Sequence, residues 1–244
     1  IDIPDRGKLQ ITGVIDRVDI YKEDEDGHVY IRIVDYKTGS KKFNLSDIIA
    51  GLNLQMFIYL FSVWHNGGDR YVTTETDDAV RPSEENNNIP AGVLYMPSRS
   101  PQYEKKAKMT EHEIADEKNK SFTRSGLFLR DEKILNAMEH NLEGRYIPIK
   151  LKSDKNISFK KSTASGVLAS LEQIGKLERY VTDSLSKIAV ELSNGKANVK
   201  PFKGKLDSCA FCDMRKICRF EENDLNKKSM LSFAPDKVWE IIDN

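Results

Sequence analysis

Asp16, Asp35 and Lys37 are the residues of this chain whose types and spacing suit chemistry most clearly. They lie in Gly13-Val14-Ile15-Asp16-Arg17 and Ile33-Val34-Asp35-Tyr36-Lys37-Thr38-Gly39, two stretches that read as strands. Between them Asp24-Glu25-Asp26-Gly27 has turn composition, so a hairpin is predicted. Strand side chains alternate between faces, which puts Asp35 and Lys37 together with Tyr36 pointing away. Asp16 is expected on one face with Val14, Val18 and Ile20. A turn centred between Glu25 and Asp26 sets Asp16 directly opposite Asp35, whereas a bulge at Gly27 would shift that register by one residue. Opposed carboxylates repel, so the arrangement costs stability unless a cation lies between them. A hard divalent ion with oxygen ligands meets that need, and Mg²⁺ is the common choice beside phosphates. Lys37 can then reach a water or phosphate oxygen at the same metal. The chemistry this suits is phosphodiester hydrolysis. By itself, Asp-x-Lys in a strand is more often a solvated surface pair.

The elements around the hairpin must hold these groups in place. Leu45 to His65 reads as one largely buried helix, started by Ser46 or Asn44 and stopped by Asn66-Gly67-Gly68. Gln55 and Tyr59, four apart, share a face of it. They point together toward the carboxylates or simply satisfy each other. Pro90 to Pro97 reads as a buried strand beside the hairpin, giving a sheet of at least three strands. Gly126-Leu127-Phe128-Leu129 leads into a helix over 131–142 with Ile134, Leu135 and Met138 inward. The longest helix is predicted from Ser162 or Ser165 to about Ser193, with apolar residues from Leu168 to Leu192 at spacings of three and four, ended by Asn194-Gly195. Polar stretches at about 69–89 and 102–120 read as insertions, the first as a mobile surface segment and the second as a solvated strand or helix.

Composition narrows the classes. The 244 residues suffice for one large domain with appendages. Lys+Arg 38 against Asp+Glu 38 leaves a formal net charge of +0, so any nucleic-acid path must be a local basic stripe. No run has the length of a membrane span and no signal-peptide pattern opens the chain. It begins at Ile1 and enters a strand almost at once, as an excised part of a longer protein would. All 3 cysteines fall in Cys209-Ala-Phe-Cys212-Asp-Met-Arg-Lys-Ile-Cys218, which argues against a disulfide framework and for a reduced, cytoplasmic setting. This C-x2-C-x5-C carries three thiolates where metal sites commonly use four ligands. A zinc site completed by His28, His65, His112 or His140 is one reading; three free cysteines is another. Lys196, Lys200, Lys203, Lys205, Arg215, Lys216 and Arg219, interrupted by Phe202 and Phe211, form a stripe able to hold a single strand, or a solvated lysine-rich loop.

Gly-x-Ile-Asp-Arg, then Asp35-Tyr36-Lys37, then Gln55-x-x-x-Tyr59 resemble the RecB-like branch of the PD-(D/E)XK nucleases. Residues 125–220, with Pro201-Phe202 before the cysteines and Arg219-Phe220 after them, resemble the C-terminal nuclease domains of the AddB-type chains of AddAB-type helicase–nucleases. The resemblance implies an α/β PD-(D/E)XK (restriction-endonuclease-like) core, a mixed central sheet flanked by helices, over 1–206, a cysteine-rich loop over 207–220 and a C-terminal tail over 221–244. It implies a Mg²⁺-dependent deoxyribonuclease that acts, with an AddA-type helicase partner, on single-stranded DNA unwound at double-strand breaks. Asp16, Asp35 and the Tyr36 carbonyl would bind the metal, Lys37 would orient water, and Gln55 and Tyr59 would position these groups or the DNA. In the resembling domains, three such cysteines join a distant fourth around a [4Fe–4S] cluster. Here no fourth is present, so Cys209, Cys212 and Cys218 would hold a cluster incompletely or not at all. Two other readings are a stand-alone RecB-like exonuclease and a non-catalytic DNA clamp or subunit-interaction module that kept the fold.

Overall fold

The hairpin is the edge of a mixed five-stranded sheet. The computed structural model describes residues 2–3, 7–22, 27–38, 42–66, 88–98, 109–149, 166–196, 198–203, 207–210, 212–218, 220–221 and 226–243. In chain order, the two-residue strands β1 (Asp2–Ile3) and β2 (Gly7–Lys8) pair antiparallel. Then come β3 (Arg17–Lys22), β4 (Val29–Lys37), β5 (Asn88–Pro97), β6 (Ser125–Leu129) and β7 (Leu168–Ala169), lying side by side in that order. The β3–β4 and β5–β6 pairs are antiparallel, and β4–β5 and β6–β7 are parallel. The predicted strand beside the hairpin is therefore β5, and it pairs with β4 along the whole Asp35-Tyr36-Lys37 stretch.

Both faces of the sheet are covered, as a parallel pair at its centre requires. On one face Ile31, Ile33 and Val93 pack with Met56, Phe57 and Leu60, and with Leu177, Val181, Val238 and Trp239. On the other, Val34, Leu94 and Phe128 pack with Leu135, Leu142, Ile147 and Ile149. Helices α1 (Ser46–Ile49), α2 (Gln55–Asn66), α3 (Glu111–Ser121), α4 (Glu132–Met138), α5 (Leu171–Ser193), α6 (Arg215–Cys218) and α7 (Pro235–Asp243) complete the elements, with β8 (Phe202–Lys203) and β9 (Lys228–Ser229) pairing in parallel. The stretch 102–120 contains α3, so its described part is helical rather than a strand. α7 belongs to the main core through Val238, Trp239 and Ile242, and Ser46 Oγ accepts the Phe233 amide at 2.9 Å just before it. No helix among the described residues is long and apolar enough to cross a membrane.

Three sequence expectations are corrected. The strand predicted over 13–16 is absent: β3 starts at Arg17, and Val14 is 82% exposed instead of sharing a sheet face with Val18 and Ile20. The single helix over 45–65 is two helices, because Gly51 (φ 74°) and Asn53 (φ 59°) take left-handed backbone between them. The Asn44 side chain accepts the Ser46 amide at the start of the first. The long helix starts at Leu171, not at 162 or 165. Ser170 caps it in a capping box with Gln173, and Leu168 is spent on β7. Its end at Asn194-Gly195 stands. The predicted mobile segment at 69–89 falls, but for its last two residues, outside the described residues, as do Ser162, Ser165, Lys205, Phe211 and Arg219.

Candidate active site

The hairpin ladder runs from Lys22↔Val29 to Arg17↔Val34, so one further step would oppose Asp16 and Asp35. No bulge interrupts it. At that step the chain does something different. The Tyr36 N–H, the donor a longer ladder would use, is taken at 3.0 Å by the Asp16 carboxylate. That bond ends the strand and fixes Asp16 against the backbone between Asp35 and Lys37. The backbone donor and the side-chain acceptor satisfy one another without a further strand residue.

Asp35 and Lys37 leave β4 on one face. The Lys37 ammonium and Asp35 Oδ2 form an ion pair, with the carboxylate largely buried and the lysine partly exposed. The contact lies outside hydrogen-bond geometry, so Asp35 Oδ2 is a buried oxygen with no hydrogen-bond donor among the described residues. The Lys37 ammonium is what offsets its charge. Tyr95, which pairs with Asp35 across β4–β5, places its ring 5.7 Å from Lys37 Nζ. Burial, with the charges of Asp35 and Asp47, pushes the Tyr95 phenol up to about 12. It therefore stays neutral and adds no second negative charge beside Asp35. Sequence reasoning missed Tyr95, although placing Pro90–Pro97 beside the Asp-x-Lys strand brings its residues to the site.

Gln55 and Tyr59 sit one turn apart on α2, and Gln55 Nε2 donates to the Tyr59 hydroxyl at 2.9 Å. They do satisfy each other, and Tyr59 also lies against the segment that precedes β3. A Cβ on Gly13 would come within 2.5 Å of the Tyr59 hydroxyl. The missing side chain of Gly13 is therefore what lets the Tyr59 ring lie against the segment leading to Asp16. Tyr36 points to the opposite face, where its hydroxyl accepts from Arg17 at 3.2 Å. There Asp19 bridges Arg17 and Arg32, a network that sequence reasoning did not identify. Burial alone would raise the Asp19 carboxyl. The hydrogen bonds and charge of Arg32, then of Arg17, outweigh that and hold it below the usual carboxylate range.

The cysteine segment is built otherwise. Cys209, Cys212 and Cys218 are free thiols around one cavity of about 150 Å³, lined also by Lys203, Arg215 and Phe220. No histidine lines it. Lys203 of the anticipated basic stripe is committed internally, to Asp207 at 3.0 Å, and Asp207 accepts the Cys209 amide at 2.8 Å. Lys196, Lys200, Arg215 and Lys216 are exposed. Among the described residues, no three His, Cys, Asp or Glu side chains gather closely enough to hold a metal by themselves. Mg²⁺ usually takes one or two carboxylates and completes its shell with water and phosphate. Asp16, Asp35 and the Tyr36 carbonyl are the oxygen donors here that such a shell could take. For the cysteines, three thiolates do not fit a four-thiolate cluster unaided.

A mixed sheet that presents Asp35 and Lys37 at the end of its second strand, with Asp16 bonded to the backbone between them, is suited to phosphodiester hydrolysis. The chain belongs to the PD-(D/E)XK nuclease superfamily, whose model matches residues 2–219. It is 34% identical over 247 residues to the B subunit of the ATP-dependent helicase/deoxyribonuclease of Acetivibrio thermocellus, covering 99% of this chain and 20% of that protein. The corresponding protein of Clostridium kluyveri is 32% identical over 249 residues, covering 100% of this chain and 20% of the relative. The chain thus spans about a fifth of the length of these relatives.

Proposed function

We propose that this chain is the DNA-hydrolysing part of an ATP-dependent helicase–nuclease, acting with a helicase partner in the cytoplasm on single strands drawn from unwound duplex. The observation that carries the reading is the buried Asp35 oxygen, which has no hydrogen-bond donor and faces a lysine on the same strand face. Asp16, Asp35 and the Tyr36 carbonyl would hold Mg²⁺. When bound, the ion supplies Lewis acidity toward the phosphate and offsets the charge that develops there. Lys37 orients the attacking water and donates to a phosphate oxygen in the transition state. The Tyr95 ring confines the lysine to that direction by cation–π attraction. Gln55 and Tyr59 position the Asp16 segment by packing on Gly13. In the longer protein, Cys209, Cys212 and Cys218 would supply three thiolates to a [4Fe–4S] cluster, with a fourth ligand from outside these residues.

Asp35→Ala and Lys37→Ala are each expected to lower Mg²⁺-dependent cleavage of end-labelled single-stranded DNA by on the order of 10³-fold, while helicase activity persists. Wild-type cleavage by either variant, in the complex that carries this chain, would remove the assignment.

A further inference from the structure

The face of the hairpin turned away from Asp35 and Lys37 carries a second concentration of charge that the hydrolytic reading does not use. Across the ladder, Asp19 lies opposite Arg32, and Arg17 precedes it by one same-face position. Arg17 Nε and both Arg32 Nε (3.1 Å) and Nη2 donate to the one Asp19 carboxylate. Arg32 Nη1 is buried and has no hydrogen-bond partner among the described residues. Arg124, at the entry to β6, is near enough for its charge to feel theirs, and its guanidinium carbon lies 5.2 Å from the Tyr146 ring centroid. Its own charge is disfavoured by burial and then by the charges of Arg32 and Arg17. Two guanidinium groups thus share one carboxylate, a third lies within reach of their charge, and a desolvated N–H is left over. A cluster of that sign asks for an anion.

The shape of the site says which kind. A cavity of about 380 Å³ opens here, within the range of small-ligand pockets. Arg17, Asp19 and Arg32 line one side, and Ile134, Ala137 and Met138 of α4 line the other. Tyr21 and Tyr30 also line it, their rings 6.3 Å apart and tilted by 47°. Guanidinium forks with aromatic and apolar walls suit a nucleotide, phosphate on the arginines and base against the rings. A bare protein carboxylate would leave those walls without a partner. The cluster is also tied to the metal-site strand, because Arg17 donates to the hydroxyl of Tyr36, whose backbone N–H holds Asp16.

We propose that Arg17, Arg32 and Arg124 form a metal-independent phosphate site that takes a nucleotide of a single DNA strand, on the sheet face opposite the hydrolytic pair. The strand then passes round the free edge at β3, gripped on one face and cut on the other. This choice of ligand rests on the DNA-nuclease reading, and the test separates the two. With EDTA present, binding of a fluorescent 12-residue oligo-dT to the 244-residue chain is measured for the wild type and for Arg17→Gln/Arg124→Gln. Arg32 is left intact because of its partly buried bonds to Asp19. The double variant is expected to bind at least about 10-fold more weakly, with the slope of log K against log salt shallower by about 1. Thymidine monophosphate should compete, and the oligonucleotide should protect Arg17 and Arg124 of the wild-type chain from phenylglyoxal, a readout that needs no variant to fold. Unchanged affinity and slope in a double variant that unfolds at the wild-type midpoint overturns the site, as does absent protection. Displacement by an acidic peptide but not by the nucleotide would overturn it too, and make the face a protein-docking surface instead. Loss of cleavage without loss of binding bears only on the hydrolytic assignment.

Discussion

The hairpin and the cysteine segment face the same task, to hold several ligating side chains at fixed separations, and they meet it in opposite ways. Asp35 and Lys37 stand on β4, paired there with β5, just past its ladder with β3, and backed by Ile31 and Ile33, 1% and 0% exposed. Cys209, Cys212 and Cys218 stand on turns and the four-residue helix α6, where Ile217 and the preceding Met214 are 76% and 59% exposed. The first region is positioned by a ladder and a core, so it needs no bound ion to take shape. The second has no core of its own among the described residues. Ligands on a central strand inherit its rigidity, whereas ligands on a turn depend on what they bind.

The same chemical change made in each region should break this comparison most visibly if it is wrong. Ile33→Ala removes a fully buried side chain beneath the site and is expected to cost about 3 kcal/mol of stability, lowering cleavage with it. Ile217→Ala, in the helix that carries Cys218, should change the unfolding free energy by less than about 0.5 kcal/mol. Urea unfolding of the two variants measures both. Similar losses would mean that the cysteine segment is as firmly built as the sheet.

What the sequence disclosed follows the same division. The hairpin was legible because its signals are local: turn composition at 24–27 and alternation in both strands set a register that the ladder reproduces. The start of β3 was not, because Gly13–Asp16 has strand composition and only the Asp16 carboxylate on the Tyr36 amide shows where pairing stops. The break between α1 and α2 was hidden by apolar residues on both sides of Gly51 and Asn53. The long helix was started too early because Leu168 fits its spacing, although Ser170-x-x-Gln173 is a capping signature readable in the chain. Tyr95 and the Arg17–Asp19–Arg32–Arg124 group join residues from separate strands, so no single stretch announces them. The buried Glu139, accepting the amides of Arg145, Tyr146 and Ile147, holds the loop on which Arg124 rests and was equally silent.

A smaller effect sharpens the account of the hairpin's arginine face. Asp19 has a folded-state pKa depressed by Arg32 and Arg17, so its stabilising contribution is present above the unfolded-state value of about 3.9 and fades as pH falls through the lower folded value. Asp19→Asn should therefore cost about 2 kcal/mol near pH 7, the scale of lost charge-assisted hydrogen bonds. That deficit should shrink as the wild type itself is titrated below about pH 4. Unfolding midpoints from pH 3 to pH 7 give the comparison. A deficit independent of pH would mean that packing at Asp19, not its charge, is what matters.

The smallest expected effect concerns the cysteines. An iron–sulfur cluster holds its protein through every ligand at once, and three thiolates leave one iron corner without a protein bond. In this chain the segment is already shaped by other bonds. Asp207 accepts the Cys209 amide, Lys203 pairs with Asp207, and the Cys218 amide donates to the Met214 carbonyl at 2.8 Å. None of these needs a sulfur atom. Replacing Cys209, Cys212 and Cys218 together by Ser should therefore shift the unfolding free energy by less than about 0.5 kcal/mol and leave Asp35 and Lys37 in place. The chain purified without oxygen should hold less than one cluster per molecule, and its thiols should react with a disulfide reagent before unfolding. Stoichiometric iron and sulfide, with all three thiols protected and the Ser variant markedly less stable, would show that this turn-built segment is as self-sufficient as the hairpin, and the contrast between them would fall.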